Sequence, residues 1–190
     1  MKETHCLILF ITLLLLSPAQ ATAPVAAREC LVDTKNDPTL FEAPMRGSDY
    51  YFKYVNPRFK YSIEFPGWLI AQAGSQNADG RKFVSTSGEC ELLVYGRSRY
   101  ATVDAEELNI KLAFMEELKR RKETGDKVTY KVRGNSSFVV SGVAGKNIFY
   151  EKTIFSKDSV TTFEITYPEG RKADYDKTVS YIANSFKIGK

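Results

Sequence analysis

Histidine is nearly absent from this chain: His5 is the only one in 190 residues. It lies just before a run of ten residues, 7–16, that is apolar except for Thr12. Lys2 precedes the run and small residues follow it, a pattern typical of a secretory signal peptide. If this segment is removed, the mature chain has no imidazole. Ser-His-Asp catalysis, Cys-His catalysis and histidine-bound zinc are then excluded.

The signal peptide is predicted to be cleaved after Ala21. Residues 19–21 form an Ala-x-Ala site, and residues 21–23 and 25–27 offer later ones. An uncleaved anchor is the alternative, although the apolar run is too short to span a bilayer. No other run is long enough to span, and no cysteine follows the small residues in lipoprotein fashion. We therefore expect an exported protein, periplasmic or extracellular, without a transmembrane segment.

Cysteine is also scarce, with three in the whole chain. Cys6 leaves with the signal peptide, so Cys30 and Cys90 remain. An even pair in an exported chain most often forms a disulfide, and we predict a bridge between these two. It would close a loop of about 60 residues and contribute about 4 kcal/mol in the chain-entropy model. Two free thiols are the alternative, while the wide separation excludes a local Cys-x-x-Cys redox motif.

Several ligand-binding motifs are missing. The chain contains neither G-x-x-x-x-G-K-[ST] nor G-x-G-x-x-G, the two glycine-rich motifs that bind phosphate groups. It also contains no Asp-x-Asp-x-Asn calcium loop. The net charge is +4, but the basic residues are interleaved with acids along the chain. Nucleic-acid binding needs a clustered basic stripe, so it is not expected. We expect no cofactor and no metal.

Carboxylates are the catalytic side chains that remain available. A pair of acids could serve a glycosidase, and five glutamates fall in predicted strands: Glu64, Glu89, Glu91, Glu151 and Glu164. Glutamates on the polar face of a strand are usually solvated, which is the simpler interpretation. The basic run at 119–122 could bind an anionic partner, but a solvated set of cations that complements the dipole at the end of a helix is the simpler interpretation.

The most regular pattern in the chain lies between Phe59 and Trp68. Residues 59, 61, 63 and 65 are apolar and alternate with polar residues, which predicts a strand with one apolar face. Pro66 has no backbone N–H and ends the ladder. Trp68 follows after a short corner and is expected to fold back onto the apolar face.

Two pairs of strands are predicted to form hairpins. One pair turns at Ser87 and Gly88, and the other turns at residues 156–158. Further strands are predicted at 50–55, 69–73, 128–132 and 137–143.

A helix is predicted at residues 104–122, with Asp104 at a capping position and Gly125 after its end. Ile110 and Phe114 lie off its main apolar face, which indicates a second contact. The residues of the main face are Ala105, Leu108, Leu112, Met115 and Leu118.

A second helix follows near the C-terminus. Its apolar residues recur at helical spacing: Tyr175, Val179, Ile182 and Phe186. Many hairpin-linked strands with two well-separated helices predict an α+β fold rather than a repeated βαβ unit.

The predicted organisation has three parts. Residues 1–21 are the signal peptide, residues 22–48 are an N-terminal extension, and residues 49–190 are one folded domain. The extension contains several prolines and no sustained periodicity. We expect it to lie over the domain, pinned through Cys30, with partial disorder as the alternative.

Three short motifs and a tryptophan resemble the PsbP-like family. They are Tyr-x-Asn at 54–56, Tyr-Ser-Ile-x-Phe-Pro at 61–66, Ile-Ala-Asn-Ser-Phe-Lys at 182–187, and Trp68. The family often has glycine where this chain has Lys60. The resemblance implies an α/β/α sandwich with a central antiparallel sheet flanked by helices. It also implies an exported protein that acts by binding other proteins.

These observations predict an exported, non-enzymatic protein-binding or assembly module whose partner is not identified by the sequence. One alternative is a carrier of a small molecule or lipid in an aromatic-lined pocket. The other is a carboxylate-dependent hydrolase.

Overall fold

The computed structural model describes residues 34–46, 49–100 and 109–189. In these ranges the chain forms strands joined largely by short turns, and two α-helices. The strands are β1 (Leu40–Arg46), β2 (Asp49–Asn56), β3 (Tyr61–Pro66), β4 (Leu69–Ala71), β5 (Gly80–Ser85), β6 (Glu91–Ser98), β7 (Lys127–Arg133), β8 (Ser137–Ala144), β9 (Asn147–Phe155), β10 (Ser159–Pro168) and β11 (Lys187–Ile188). The helices are α1 (Ile110–Glu123) and α2 (Lys172–Ser185), and a 3-10 turn, Glu169–Arg171, leads into α2.

The strands form two antiparallel sheets. One has four strands in the order β1-β2-β3-β11, and the other has seven in the order β4-β5-β6-β10-β9-β8-β7. Every pairing is antiparallel, as the hairpin pattern predicted. The strands are divided between two sheets, although one central sheet was expected. The division falls at Pro66, because the chain leaves β3 there and enters the second sheet at Leu69.

The alternation predicted for β3 is confirmed. Tyr61, Ile63 and Phe65 are fully buried, while the residues between them are partly exposed. The strand begins at Tyr61 rather than Phe59, because Lys60 has a φ of +52°, outside the extended region. Such a backbone suits glycine, which has no Cβ to clash.

Two buried apolar clusters lie on opposite faces of the seven-stranded sheet. Consecutive side chains of a strand point to opposite faces, and Ile148 belongs to one cluster while Phe149 belongs to the other. The first cluster also contains residues of β2, β3 and α2, so the four-stranded sheet and α2 cover that face. Helix α1 covers the second cluster with Ala113 and Phe114.

The predicted packing face of the C-terminal helix is confirmed. Tyr175, Val179 and Ile182 of α2 are buried, and so is Phe186 at its C-cap. Trp68 also packs against this cluster, as expected from its position after Pro66.

Helix α1 begins later than predicted. Asn109 has extended dihedral angles, φ −86° and ψ 133°, and its side chain accepts a hydrogen bond from the Lys111 N–H. It is therefore the N-cap, while Asp104 lies outside the described residues. The predicted end is confirmed, because Gly125 has a φ of +81° just beyond the helix.

The predicted core-facing side of α1 is wrong. Leu112 and Met115 are more than half exposed, whereas Ile110, Phe114 and Leu118 pack against the core. The true inner face also carries Glu117 and Arg121, so apolar residues alone could not locate it. Of the predicted set, only Leu118 packs inward, and Ala105 and Leu108 lie outside the described residues.

The N-terminal predictions lie mostly outside the described ranges. Residues 1–21, with the cleavage site, and Cys30 are not among them, so cleavage and the disulfide stay predictions. Cys90 is fully buried in the larger cluster. Within the proposed extension, β1 pairs with β2. Among the described helices, none has the length and apolar character needed to cross a bilayer.

Candidate functional site

An open cavity of about 610 Å³ lies beside the corner between the two sheets. The β3–β4 corner, the β5–β6 turn and the start of α2 form its walls. These segments meet at Tyr175 of α2, whose ring contacts Trp68 and whose hydroxyl donates to Glu89. The lining is mostly hydroxyl and charged groups with two aromatic rings: Asp49, Gly67, Trp68, Ser85, Thr86, Ser87, Glu89, Arg171, Asp174, Tyr175 and Thr178.

Arg171 organises the charges of this cavity. Its guanidinium pairs with Glu89 Oε1, and its Nε lies 2.9 Å from Asp174 Oδ2. The Tyr175 hydroxyl donates to Glu89 Oε1 at 2.7 Å, and the guanidinium lies 5.4 Å from the centre of the Tyr175 ring. Burial and the hydrogen bond to Glu89 raise the pKa of Tyr175, so the phenol keeps its proton. Glu89 is thus already held by two donors.

One wall of the cavity is aromatic. The Trp68 ring lies edge-on to the Tyr175 ring, with centroids 5.8 Å apart. Tyr175 stacks in turn on Tyr167 at 4.9 Å, which connects this wall to β10. The other walls are polar, so only one side of the cavity matches the aromatic-lined pocket expected of a small-molecule or lipid carrier. It suits a ligand with one flat apolar face and several hydrogen-bonding groups.

A second group of charges lies between α1 and the seven-stranded sheet. Arg121 is only 3% exposed and contacts four carboxylates. Its Nε lies 2.5 Å from Glu117 Oε1, its Nη1 lies 3.2 Å from Asp126 Oδ2, and its Nη2 lies 3.0 Å from Glu151 Oε2. Nη2 also pairs with Glu164 Oε2. The group joins the helix, the turn after it, β9 and β10.

Glu151 is the most perturbed acid of this group. Burial, followed by the charges of Glu117 and Glu164, raises its pKa to about 8, although Arg121 opposes the shift. Arg121 also lies over the Phe149 ring, 3.8 Å from its centre, a cation–π contact. Arg120 also contacts Glu117 and Glu151. Because four acids surround these two arginines, a retained proton on Glu151 relieves the excess of negative charge. We interpret the group as a structural link between α1 and the sheet.

Of the five glutamates considered as catalytic candidates, the structure brings Glu151 and Glu164 together on Arg121, while the other three have separate partners. Each already has a partner: Arg121 for Glu151 and Glu164, Arg171 for Glu89, Lys82 for Glu91, and the Tyr181 hydroxyl for Glu64. Of the five, only Glu89 lines the cavity. The expectation that these strand glutamates are solvated is wrong for Glu151, which is buried.

Sequence reasoning missed both charged groups for different reasons. Arg171 and Glu89 are far apart in the chain, and no local signal connects them. Arg121 was assigned to a solvated basic run, which is wrong for this residue because it is buried. A signal did exist: residues 110, 114, 117 and 121 recur at i, i+4, i+7 and i+11, the spacing that correctly located the inner face of α2.

No group of three or more His, Cys, Asp or Glu that could hold a metal ion occurs within 34–46, 49–100 and 109–189. In the cavity, Glu89 and Asp174 are both paired with the Arg171 guanidinium. This cation occupies the place beside the two acids that a metal ion would need.

Comparison with known proteins shows the fold. No family model matches the chain, and no curated protein matches it either. Among solved structures, it is similar to cyanobacterial PsbP (CyanoP) from Synechocystis sp. PCC 6803, with a TM-score of 0.55 and 12% identity. The match covers 73% of this chain and 92% of CyanoP. A Bacteroides thetaiotaomicron VPI-5482 protein has a TM-score of 0.47 and 13% identity, covering 73% of this chain and 48% of that one. The chain therefore has a PsbP-like fold.

Proposed function

We propose that this protein is an exported, non-enzymatic protein-binding or assembly module of the PsbP-like type. The fold is the observation that carries the proposal, since the match to CyanoP covers 92% of that chain. In this proposal residues 1–21 are removed, residues 22–48 form an extension bound through a Cys30–Cys90 disulfide, and residues 49–190 form the domain. Helices α1 and α2 are the outer layers of an α/β/α sandwich. The four-stranded sheet lies with α2 on the same face of the seven-stranded sheet.

The chemistry of the described residues supports a binding role. Glu89, the cavity acid among the catalytic candidates, is paired with Arg171 and accepts from Tyr175. A general acid or base needs a free proton or lone pair facing its substrate. The lone histidine, His5, lies in the segment predicted to be removed.

Affinity capture from the native envelope tests the proposal. The tagged full-length protein should be exported and should return a stoichiometric protein partner in both low and high salt. Recovery of the monomer alone at every salt concentration would contradict a binding role.

A small-molecule carrier is the second candidate, and the cavity beside Trp68 favours it. The mixed lining suits a polar ligand with one flat face. Native mass spectrometry of the protein from its source should then show a retained ligand, which a Trp68→Ala variant loses. An unliganded mass for both proteins would eliminate this candidate.

A further inference from the structure

Among the residues that the structure describes, no strand pairs with the outer edge of β7 in the seven-stranded sheet. Four strands form the sheet edges in the described ranges, and they differ in their capacity to pair. Strands β4 and β11 have three and two residues, and β1 contains Pro44 and a shift in register. Strand β7 has seven residues without proline, and it pairs on one side with β8. After an irregularity following Val128, its register is regular to Arg133.

The two faces of β7 differ in chemistry. Val132 lies opposite Val139, on the face of the sheet away from α1, and Tyr130 shares that side. These two side chains are 46% and 55% exposed, high values for residues of their type. Lys131 lies opposite the buried Val140, on the α1 side. From Tyr130 to Arg133 the strand therefore presents an apolar face and a basic face to any strand added beside it.

The charge of β7 has one sign. Its sequence contains Lys127, Lys131 and Arg133 and no acid. Cations on an edge strand oppose pairing with another copy, because like charges would lie opposite one another. The same arrangement matches a strand in which acidic and apolar residues alternate. The charge and the side-chain alternation of β7 thus favour a partner strand in which acidic and apolar residues alternate.

We propose that β7 accepts an extended acidic segment of a partner protein as an additional strand of the sheet. This inference rests on the proposed function, because it names the chemistry of the bound protein. Main-chain hydrogen bonds would supply affinity, as in other cases of strand addition. Tyr130 and Val132 pack against the apolar side chains of the segment, and Lys131 and Arg133 pair with its acids.

A synthetic peptide in which Glu and Val alternate over the length of β7 tests this proposal. A second peptide carries Lys in place of Glu. Fluorescence anisotropy is measured with the full-length protein, with K131E/R133E, and with K157E/K177E, which changes the net charge equally at exposed sites elsewhere. The wild type and K157E/K177E should bind the acidic peptide. K131E/R133E should bind it at least about tenfold more weakly and should instead bind the Lys peptide.

Hydrogen exchange distinguishes strand addition from simple charge attraction. On binding, the amides of β7 should gain protection while those of β1 do not. The proposal is overturned if the wild type binds neither peptide, if both variants lose binding equally, or if binding protects no amide of β7. It is also overturned if the β7 amides that point away from β8 are already protected in the free monomer, or are protected only in a dimer, since its own chain or a second copy would then occupy the edge.

Capture of the native partner separates this inference from the proposed function. If K131E/R133E and the wild type capture the same partner equally, the binding role stands and the role of β7 fails. If the peptide results are as expected but no partner is captured, the chemistry of the edge stands and the proposed function fails.

Discussion

Arg121 is the residue on which the attachment of α1 most depends. It brings a positive charge into a site that is 3% exposed, and carboxylates from the helix, the following turn and two strands surround it. A buried ion pair adds little stability compared with an apolar pair, but removal of one partner is costly. Without Arg121, the carboxylates of Glu117, Asp126 and Glu164 would lose the buried cation that they share.

The variant Arg121→Met should therefore be strongly destabilised. We expect its free energy of unfolding to fall by about 3–5 kcal/mol, because acids remain buried without their cation. Urea denaturation followed by circular dichroism measures the change. The neighbouring Arg120 is 50% exposed and supplies the control, since Arg120→Met should cost less than about 1 kcal/mol. Similar losses in the two variants would show that burial of Arg121 is not important.

Glu151 predicts a dependence of stability on pH. Its pKa is about 8 in the folded protein, above the ordinary value of 4.5, so the folded state holds a proton that the unfolded chain releases between these values. Stability should therefore fall as pH rises through this window, by at most about 1.4 kcal/mol per pH unit. Glu151→Gln cannot titrate and should lack this component.

The measurement is the free energy of unfolding of both proteins from pH 5 to pH 9. The difference between the wild type and Glu151→Gln should change steadily up to about pH 8 and then level off. A constant difference across the range would show that Glu151 is ionised in the folded protein throughout.

At the level of single residues, the sequence was most reliable for apolar strand positions. Tyr61, Ile63 and Phe65 were placed correctly, because alternation depends only on neighbouring residues. The burial of Glu151 could not be predicted in this way, and the only signal for that of Arg121 was its helical spacing with residues 110, 114 and 117. A charged side chain is buried only when its partner arrives from another element, and that arrangement exists only after folding.

At the level of elements, Gly142 of β8 allows the close approach of β7 to β8. A Cβ built at Gly142 would lie 2.0 Å from the carbonyl oxygen of Lys127. Gly142→Ala should push β7 away from β8 and cost about 1–3 kcal/mol, the usual range for overpacking. Hydrogen exchange should become faster in β7. Gly74→Ala is the control, because no atom other than those of Gly74 and its two chain neighbours lies within 4 Å of its Cβ position. Unchanged exchange in Gly142→Ala would contradict the prediction.

Elements with local signals were predicted well. The hairpin between β5 and β6 turns at Gly88, whose φ is +73°, and the turn between β9 and β10 falls at residues 156–158. The start of α1 and the two-residue strand β11 were not predicted. An N-cap is decided by competition among neighbouring candidates, and β11 exists because α2 returns the chain to β3.

For the whole molecule, the predicted disulfide is the most direct test of export. The secreted protein should begin at Thr22, and its intact mass should rise by about 2 Da on reduction. Cys30→Ser should lower the free energy of unfolding by up to about 4 kcal/mol. Cys6→Ser is the control, since Cys6 leaves with the signal peptide.

The alternative of free thiols gives a different result. Burial, followed by the charges of Glu89 and Glu91, raises the pKa of Cys90 to about 12. A free Cys90 thiol would then resist alkylation in the folded protein and react in urea without any reductant. That reaction would contradict the disulfide.

The sequence by itself determined the antiparallel strands, the two helices, the inner face of α2 and the scarcity of catalytic residue types. These properties depend on spacing along the chain and on composition. Only the tertiary structure decided the division into two sheets, the inner face of α1, the burial of Arg121, the cavity at Arg171 and the open edge at β7. The physical reason is that each depends on side chains or strands that are distant in sequence and meet only when the core forms.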